Sequence, residues 1–197
     1  MTSRERRQRE QADRRQLILA TAREMAEAEG WDSVTTRRLA DRIEYSQPVL
    51  YQHFKNKDAI VRAVALDGFA ELAAAMGAVR AAHDDPQDRL RAVARAYLGF
   101  AAANPTLYQA MFTLDVGLVF AREQTPQPLV DAFFEIMRAV EPVAGDRDPE
   151  LLTEVLWSSW HGLANLTWGE RLRPGLEEER LDALVDTFGG VAARFPA

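Results

Sequence analysis

Residues 33–57 read SVTTRRLADRIEYSQPVLYQHFKNK, and this stretch decides the fold. A short helix ending at Ile43 is followed by a turn at 44–46 and by a second helix that begins at Gln47. Pro48 falls in the first turn of that second helix, where its missing N–H costs little. Two short helices joined by a turn of this length predict a helix-turn-helix motif.

The helical pattern continues on both sides of the motif. Ala, Leu, Arg and Glu dominate the chain, and the alternation of β-branched residues that is typical of strands is absent. An earlier helix ends at Gly30, and Asn56 is suited to cap a long fourth helix that runs to about Ala82. We therefore predict an all-α protein, with a three-helix domain at 1–60 joined by the fourth helix to a helical domain at 61–197.

Composition limits the class of protein. The 197 residues include no cysteine, which excludes disulfides and thiolate metal sites. No apolar run is long enough to span a membrane, and the arginine-rich N-terminus lacks the apolar core of a secretory signal. We expect a cytoplasmic protein without a membrane partner. The net charge is −6, yet residues 1–60 hold twelve basic and ten acidic residues, while the remainder holds twelve basic and twenty acidic ones. An acidic protein can bind DNA if its positive charge is gathered on one small face.

The second helix of such a motif lies in the major groove of DNA, with its first residues against base edges. Glutamine can pair with adenine through two hydrogen bonds, and valine can contact the thymine methyl group. Exposed candidates for base contacts are Gln47, Val49, Gln52 and His53. Contacts to phosphate give affinity without sequence information. The residues with donors suited to phosphate are Thr36, Arg37, Tyr51 and Lys57.

A purely structural role fits the same residues equally well. Tyr51 and Phe54 can pack the core of a small domain, and Thr36 can act only as a helix cap. The arginines between Arg4 and Arg15 present a similar choice between an arm that reaches the minor groove and a solvated tail or frayed helix end, and the tail is favoured.

The residue pattern also resembles the TetR family of bacterial regulators over about residues 14–64. The matching residues are Ile18–Ala22, Gly30, Trp31, Val34, Thr35, Thr36, Leu39, Ala40, Ile43, Ser46, Leu50, Tyr51, Phe54, Asn56, Lys57, Asp58 and Ile60. The resemblance implies a three-helix DNA-binding head, a connecting helix, and an all-helical body that binds a ligand and forms a dimer.

By family position, Thr36, Tyr51 and Lys57 look like phosphate contacts. The positions that look base-facing are Gln47, Pro48, Val49 and Gln52. Three residues depart from the family pattern. Glu44 stands where the turn usually has glycine, Tyr45 replaces a small aliphatic residue, and Pro48 stands where glycine or alanine is frequent. Glu44 must therefore tolerate a backbone conformation that favours glycine, and the operator sequence cannot be inferred from relatives.

The C-terminal part contains Trp160-His161-Gly162, which resembles the motif that names a subclass of the family. The last two helices carry apolar residues interspersed with small ones, and small side chains permit close packing of helices in a dimeric four-helix bundle. An intramolecular core is the alternative. The predicted dimer interface comprises Leu152, Ser159, Leu163, Leu181, Leu184, Val185 and Phe188.

Aromatic residues concentrate on the middle helices. Such a stripe is usually packed core, but the resemblance implies an effector cavity in this region. His161 is then either a polar group that orients a ligand or a satisfied core histidine. The candidate effector-binding residues are Tyr97, Phe100, Tyr108, Met111, Phe112, Phe133, Met137, Trp157 and His161.

Together these features predict a homodimeric repressor that is released from a palindromic operator by a small, largely apolar effector. Its partners would be double-stranded DNA, a second copy of the chain and an effector of unknown identity. Three scattered histidines, with no metal-spaced cluster or phosphate loop, indicate no catalytic site, metal or cofactor. An interaction module that has kept the fold and lost DNA binding is the remaining alternative, because Glu44 and the acidic total permit it.

Overall fold

The computed structural model describes residues 2–189, and within them the chain forms only helices. Two short 3-10 turns lie at Trp31–Ser33 and Glu141–Val143. The prediction of an all-α protein is confirmed. The helices α1 to α9 are, in chain order, Ser3–Glu29, Thr36–Arg42, Gln47–His53, Lys57–Ala81, Pro86–Ala103, Pro105–Phe112, Gln127–Val140, Pro149–Trp168 and Glu177–Gly189.

The described residues divide into two compact units. The first unit contains residues 2–68 and 106–120, and the second contains residues 69–105 and 121–189. The long helix α4 contributes residues to both. As predicted, Asn56 caps α4, because its side-chain oxygen accepts from the Ala59 N–H at 2.9 Å.

The core of the first unit is built from residues at helical spacing on α1, α2, α3 and the start of α4. On α1 the buried positions are three and four residues apart, so they lie on one face of the helix. The fully buried side chains of this core include Ile18, Ala22, Met25, Val34, Leu39, Leu50 and Ile60.

Helix α6 packs in the first unit although it is far from the motif in sequence. A Cβ atom at Gly68 of α4 would lie 2.9 Å from both Leu107 Cδ1 and Met111 Sδ, so only glycine permits this close approach. The Trp31 indole N–H also donates to the Thr106 carbonyl at 2.8 Å. These contacts place the start of α6 beside the residues that precede the helix-turn-helix.

The core of the second unit is formed by α5 with α7, α8 and α9. Its most buried side chains include Leu90, Val93, Tyr97, Ile136, Leu156 and Trp160. On the surface, Arg91 pairs with Asp182 at 2.8 Å, and Arg95 pairs with Glu178. These exposed pairs set the register of α9 on α5 and contribute little stability individually.

The arginine-rich N-terminus is helical and forms the first part of α1. Thr2 and Glu5 form a capping box, in which the Thr2 N–H donates to the Glu5 carboxylate at 2.7 Å. Residues 2–17 are exposed along this helix. No helix within the described range has the length and apolar character needed to cross a bilayer.

Candidate nucleic-acid interface

The turn between α2 and α3 contains a strained residue at the predicted position. Glu44 has a φ of 56°, in the left-handed region that favours glycine. The Tyr45 N–H donates to the Ala40 carbonyl at 2.9 Å and closes the turn. Ser46 occupies the N-cap position of α3, but its hydroxyl makes no capping bond. The predicted conformation of Glu44 is confirmed.

The outward face of α3 presents the predicted base-contacting residues. Gln47, Pro48 and Gln52 are exposed, and Val49 and His53 are half-buried. Leu50 points into the core of the first unit and is fully buried. The helix is therefore anchored by one apolar side chain and leaves two amide side chains free for base edges.

Two predicted phosphate contacts lie next to each other. The Tyr51 hydroxyl on α3 is 3.5 Å from the Thr36 hydroxyl on α2, and Tyr51 is 51% exposed. Arg37, the neighbour of Thr36, is also exposed. The pair thus forms a small hydroxyl-bearing surface beside the exposed face of α3, in a position to donate to a phosphate oxygen.

Lys57, the third predicted phosphate contact, has a structural partner. Its ammonium group donates to the Trp31 carbonyl at 2.6 Å, and the side chain is partly buried. An ammonium group has three N–H donors, so two remain for other acceptors. The ring of Phe54, three residues before Lys57, has the Arg15 guanidinium 4.4 Å from its centre. The bond to Trp31 therefore holds Lys57 in place and leaves two of its N–H donors for other acceptors.

Arg38 connects α2 to the end of α1, and the sequence analysis did not identify it. Its guanidinium donates two bonds of 2.9 Å to the Glu29 carboxylate and a third, at 3.1 Å, to the Ser33 carbonyl. This bidentate contact lowers the pKa of Glu29 below its usual value through hydrogen bonding and charge, and raises the pKa of Arg38. It fixes α2 against the end of α1. The nine-residue separation of the partners matches no helical or strand period, so sequence periodicity gives no signal for it.

The candidate effector-binding residues fall into both units. The first unit contains Tyr108, Met111 and Phe112, and the Tyr108 and Phe112 rings lie 4.6 Å apart. The second unit contains Tyr97, Phe100, Phe133, Met137, Trp157 and His161. Tyr97 is buried, and the other five members in the second unit are half-buried.

Helices α5 and α8 bring four aromatic residues together in the second unit. The Trp157 indole N–H donates to the Tyr97 hydroxyl at 3.0 Å. The Tyr97 and Trp160 rings lie 5.6 Å apart at an angle of 44°. One turn along, the Asn165 side-chain amide lies 3.0 Å from His161 Nε2 and donates to the His161 carbonyl at 2.8 Å. Burial lowers the pKa of His161, which favours its neutral form.

The predicted dimer residues differ in exposure, and this changes the candidate interface. Leu152, Leu181 and Val185 are buried in the core of the second unit, so they are not available to a partner as a free surface. Ser159, Leu163, Leu184 and Phe188 are half-buried. The exposed apolar residues of α8, which the prediction left out, are Leu151, Val155, Leu166 and Trp168.

Two family models match this chain. Residues 18–64 match the bacterial regulatory proteins of the tetR family, and residues 90–188, half of the chain, match the tetracyclin repressor-like C-terminal domain. The second match includes Trp160, His161 and Gly162. The first match covers the second half of α1, the whole of α2 and α3, and the start of α4.

Individual relatives agree with these matches. The class C tetracycline repressor of Escherichia coli is 42% identical over 74 residues, which cover 38% of this chain and 30% of that protein. The transcriptional activator FasR of Mycolicibacterium smegmatis is 30% identical over 103 residues, or 52% of this chain and 47% of FasR. The chain thus spans half or less of the curated relatives it matches.

A solved structure resembles the chain over nearly its full length. A protein of unknown function from Rhodococcus sp. RHA1 is 27% identical, with a TM-score of 0.79 over 91% of this chain and 95% of that one. This likeness, the two family matches, and the outward-facing α3 agree with one another. The chain belongs to the TetR family of DNA-binding transcription regulators.

Proposed function

We propose that this regulator is a homodimeric repressor that leaves a palindromic operator when a small, largely apolar effector binds. Residues 1–60 would bind DNA, and residues 61–197 would bind the effector and the second copy. The observation that carries the DNA-binding part is the surface made by the Thr36 and Tyr51 hydroxyls beside the exposed Gln47 and Gln52. It combines donors for phosphate with amides for base edges, as sequence-specific binding requires.

The dimer part rests on a stripe of exposed and half-buried residues along α8. Leu151, Val155, Ser159, Gly162 and Leu166 are spaced three or four residues apart and so lie along one side of the helix. Leu151 is 59% exposed, and a Cβ at Gly162 would meet no atom within 4 Å. A contiguous exposed apolar stripe is typical of a protein interface. We assign this stripe, extended by the half-buried Leu184 and Phe188 on α9, to a second copy of the chain.

Effector release follows if the ligand binds the DNA-bound and free states with different affinity. The two heads of a dimer must meet half-sites one helical turn or more apart, so a change in their separation weakens binding. The aromatic side chains of the second unit supply the apolar area, and Tyr97, Trp157 and His161 add polar groups to it. We therefore assign the effector site to this cluster.

The DNA-binding part is tested by selecting sites from a random pool of double-stranded DNA and measuring affinity for the selected site by fluorescence anisotropy. We expect enrichment of a palindrome. Tyr51→Phe should weaken binding to selected and scrambled DNA alike, while Tyr45→Phe in the turn should leave both unchanged. Failure to enrich any sequence, with salt-independent binding, would favour an interaction module that has lost DNA binding.

The sign of regulation needs a separate experiment because FasR, a relative, is named as an activator. A reporter gene placed behind the selected palindrome in a cell with and without the regulator decides it. Repression predicts lower expression with the regulator present, and the Tyr51→Phe variant should restore expression. Higher expression with the wild-type protein would make it an activator that uses the same DNA-binding surface.

A further inference from the structure

Trp160 is a buried hydrogen-bond donor whose partner is missing from the described part of the chain. Its side chain is 0% exposed, and its indole N–H meets no acceptor among residues 2–189. Leaving such a group unpaired costs roughly 1–3 kcal/mol, which is why buried donors in native proteins are nearly always bonded. An acceptor from outside the described chain would remove that cost.

The polar groups next to Trp160 already have partners. The Trp157 indole N–H, one turn earlier on α8, donates to the Tyr97 hydroxyl at 3.0 Å. The hydroxyl of Thr153, which is also fully buried, donates to the Pro149 carbonyl at 2.7 Å. Trp160 is thus distinguished from its neighbours by an unpartnered donor, and the Tyr97 ring lies 5.6 Å from its own ring.

The surroundings favour a neutral ligand. Among the described residues, the buried polar or charged side chains are Thr21, which lies in the first unit, and Thr153 on α8, and neither is charged. An ionised group placed beside Trp160 would therefore lack a buried counter-charge, at a cost of several kcal/mol. A single neutral oxygen satisfies the indole N–H without that penalty.

The second half of α8 is less covered by its own chain than the first half. Trp160 is the last fully buried residue of the helix, and each residue from His161 to Asn165 is half-buried whichever side of the helix it occupies.

We propose that Trp160 donates its indole N–H to the oxygen of a neutral aromatic ligand, of the ketone, ester or amide class, whose ring packs against Tyr97. This rests on the proposed effector-released function and deepens it. The effector is then not only apolar: it also carries an oxygen that accepts a hydrogen bond from Trp160.

The test uses full-length protein with isotope-labelled tryptophan, so that the four indole N–H groups give separate NMR signals. The probes are acetophenone and α-methylstyrene, which differ only in a carbonyl oxygen replaced by a methylene group. We expect acetophenone to move the Trp160 signal downfield and to bind on the order of tenfold more tightly than α-methylstyrene. Benzoate, which carries a charge, should bind more weakly than acetophenone.

Variants assign the effect to one side chain. Trp160→Phe should abolish the preference for acetophenone, and Trp168→Phe, which changes a 61% exposed tryptophan on the same helix, should preserve it. If Trp160→Phe does not fold, the downfield shift and the tenfold preference in the wild-type protein decide the matter. Equal binding of the two probes, binding of neither, or a Trp160 signal that does not move would overturn the proposal.

The result of the probe-binding test can be distinguished from the results of the tests of the proposed function. DNA binding is measured without any probe, so its loss bears on the regulator hypothesis alone. Acetophenone that binds at Trp160 without changing operator affinity would support the site and contradict effector release through it. Operator binding with no preference between the probes would contradict the site alone.

Discussion

The Lys57 ammonium group donates to the Trp31 carbonyl at 2.6 Å, and the Trp31 indole N–H donates to the Thr106 carbonyl at 2.8 Å. Trp31 therefore joins the first residue of α4 to the start of α6 within one compact unit. A lysine held in this way loses less side-chain entropy on meeting a phosphate than a free one does. The same bond gives Lys57 a role in stability as well as in binding.

We predict that Lys57→Ala weakens binding to all DNA sequences about equally and lowers the slope of log affinity against log salt by about one. It should also lower the free energy of unfolding by about 1 kcal/mol, since one hydrogen bond is lost. Anisotropy titrations across a salt series and urea unfolding measure the two effects. Lys57→Arg, which keeps the charge, should retain most of the salt slope; an unchanged slope in Lys57→Ala would show that Lys57 makes no phosphate contact.

We expect Gln47→Ala to reduce affinity at one base pair of the operator and not elsewhere. A bidentate amide–adenine contact contributes about 1–3 kcal/mol of discrimination. Titration of operators that carry each single base change identifies the position, because the variant should no longer distinguish the bases there. Gln52→Ala should have the same kind of effect at a different position, and a uniform loss at all positions in either variant would assign it to phosphate binding instead.

We predict that Glu44→Gly raises both stability and DNA affinity. The left-handed conformation of Glu44 costs a non-glycine residue about 1–2 kcal/mol, part of which the flexibility of glycine in the unfolded chain offsets. Removal of the carboxylate also reduces repulsion of DNA, an effect that salt screens. Glu44→Ala separates the two causes, since it should gain affinity at low salt without gaining stability. Equal melting temperatures for wild type and Glu44→Gly would contradict the strain argument.

Local signals were sufficient to predict most helix boundaries. The prolines at 105 and 149 and the Asn56 cap lie within one turn of the ends they determine, so short-range sequence reveals them. The strain at Glu44 was predictable from the family resemblance, because the family usually has glycine at that position of the turn.

Contacts distant in sequence were not predictable in this way. The bond from Trp31 to Thr106 spans 75 residues, and the inclusion of α6 in the first unit depends on it and on the missing side chain of Gly68. The difference in exposure among the predicted interface residues has a related reason. Both sides of α8 are apolar, so periodicity alone cannot tell that Leu152 faces its own core while Leu151 is exposed.

We predict that acid destabilises the protein partly through His161. Burial lowers the pKa of His161 below 6.5, so the unfolded chain binds a proton more readily than the folded one. Stability from this group is therefore complete above about pH 6.5 and falls as the pH drops toward the folded-state pKa. Urea midpoints at several pH values should decline less in His161→Gln than in wild type, while His83→Gln, at an exposed site, should follow wild type.

We predict that Leu151→Arg converts the protein from dimer to monomer. Leu151 is 59% exposed, so the substitution leaves the core of the second unit intact while it places a charge on the stripe assigned to a second copy. Light scattering should give twice the 22.1 kDa chain mass for wild type and the single mass for the variant. Leu17→Arg is the matched control, because Leu17 is a 43% exposed leucine on α1 and should leave the dimer unchanged. A dimer that survives Leu151→Arg, or a wild-type monomer at micromolar concentration, would mean that the α8 stripe does not join two copies.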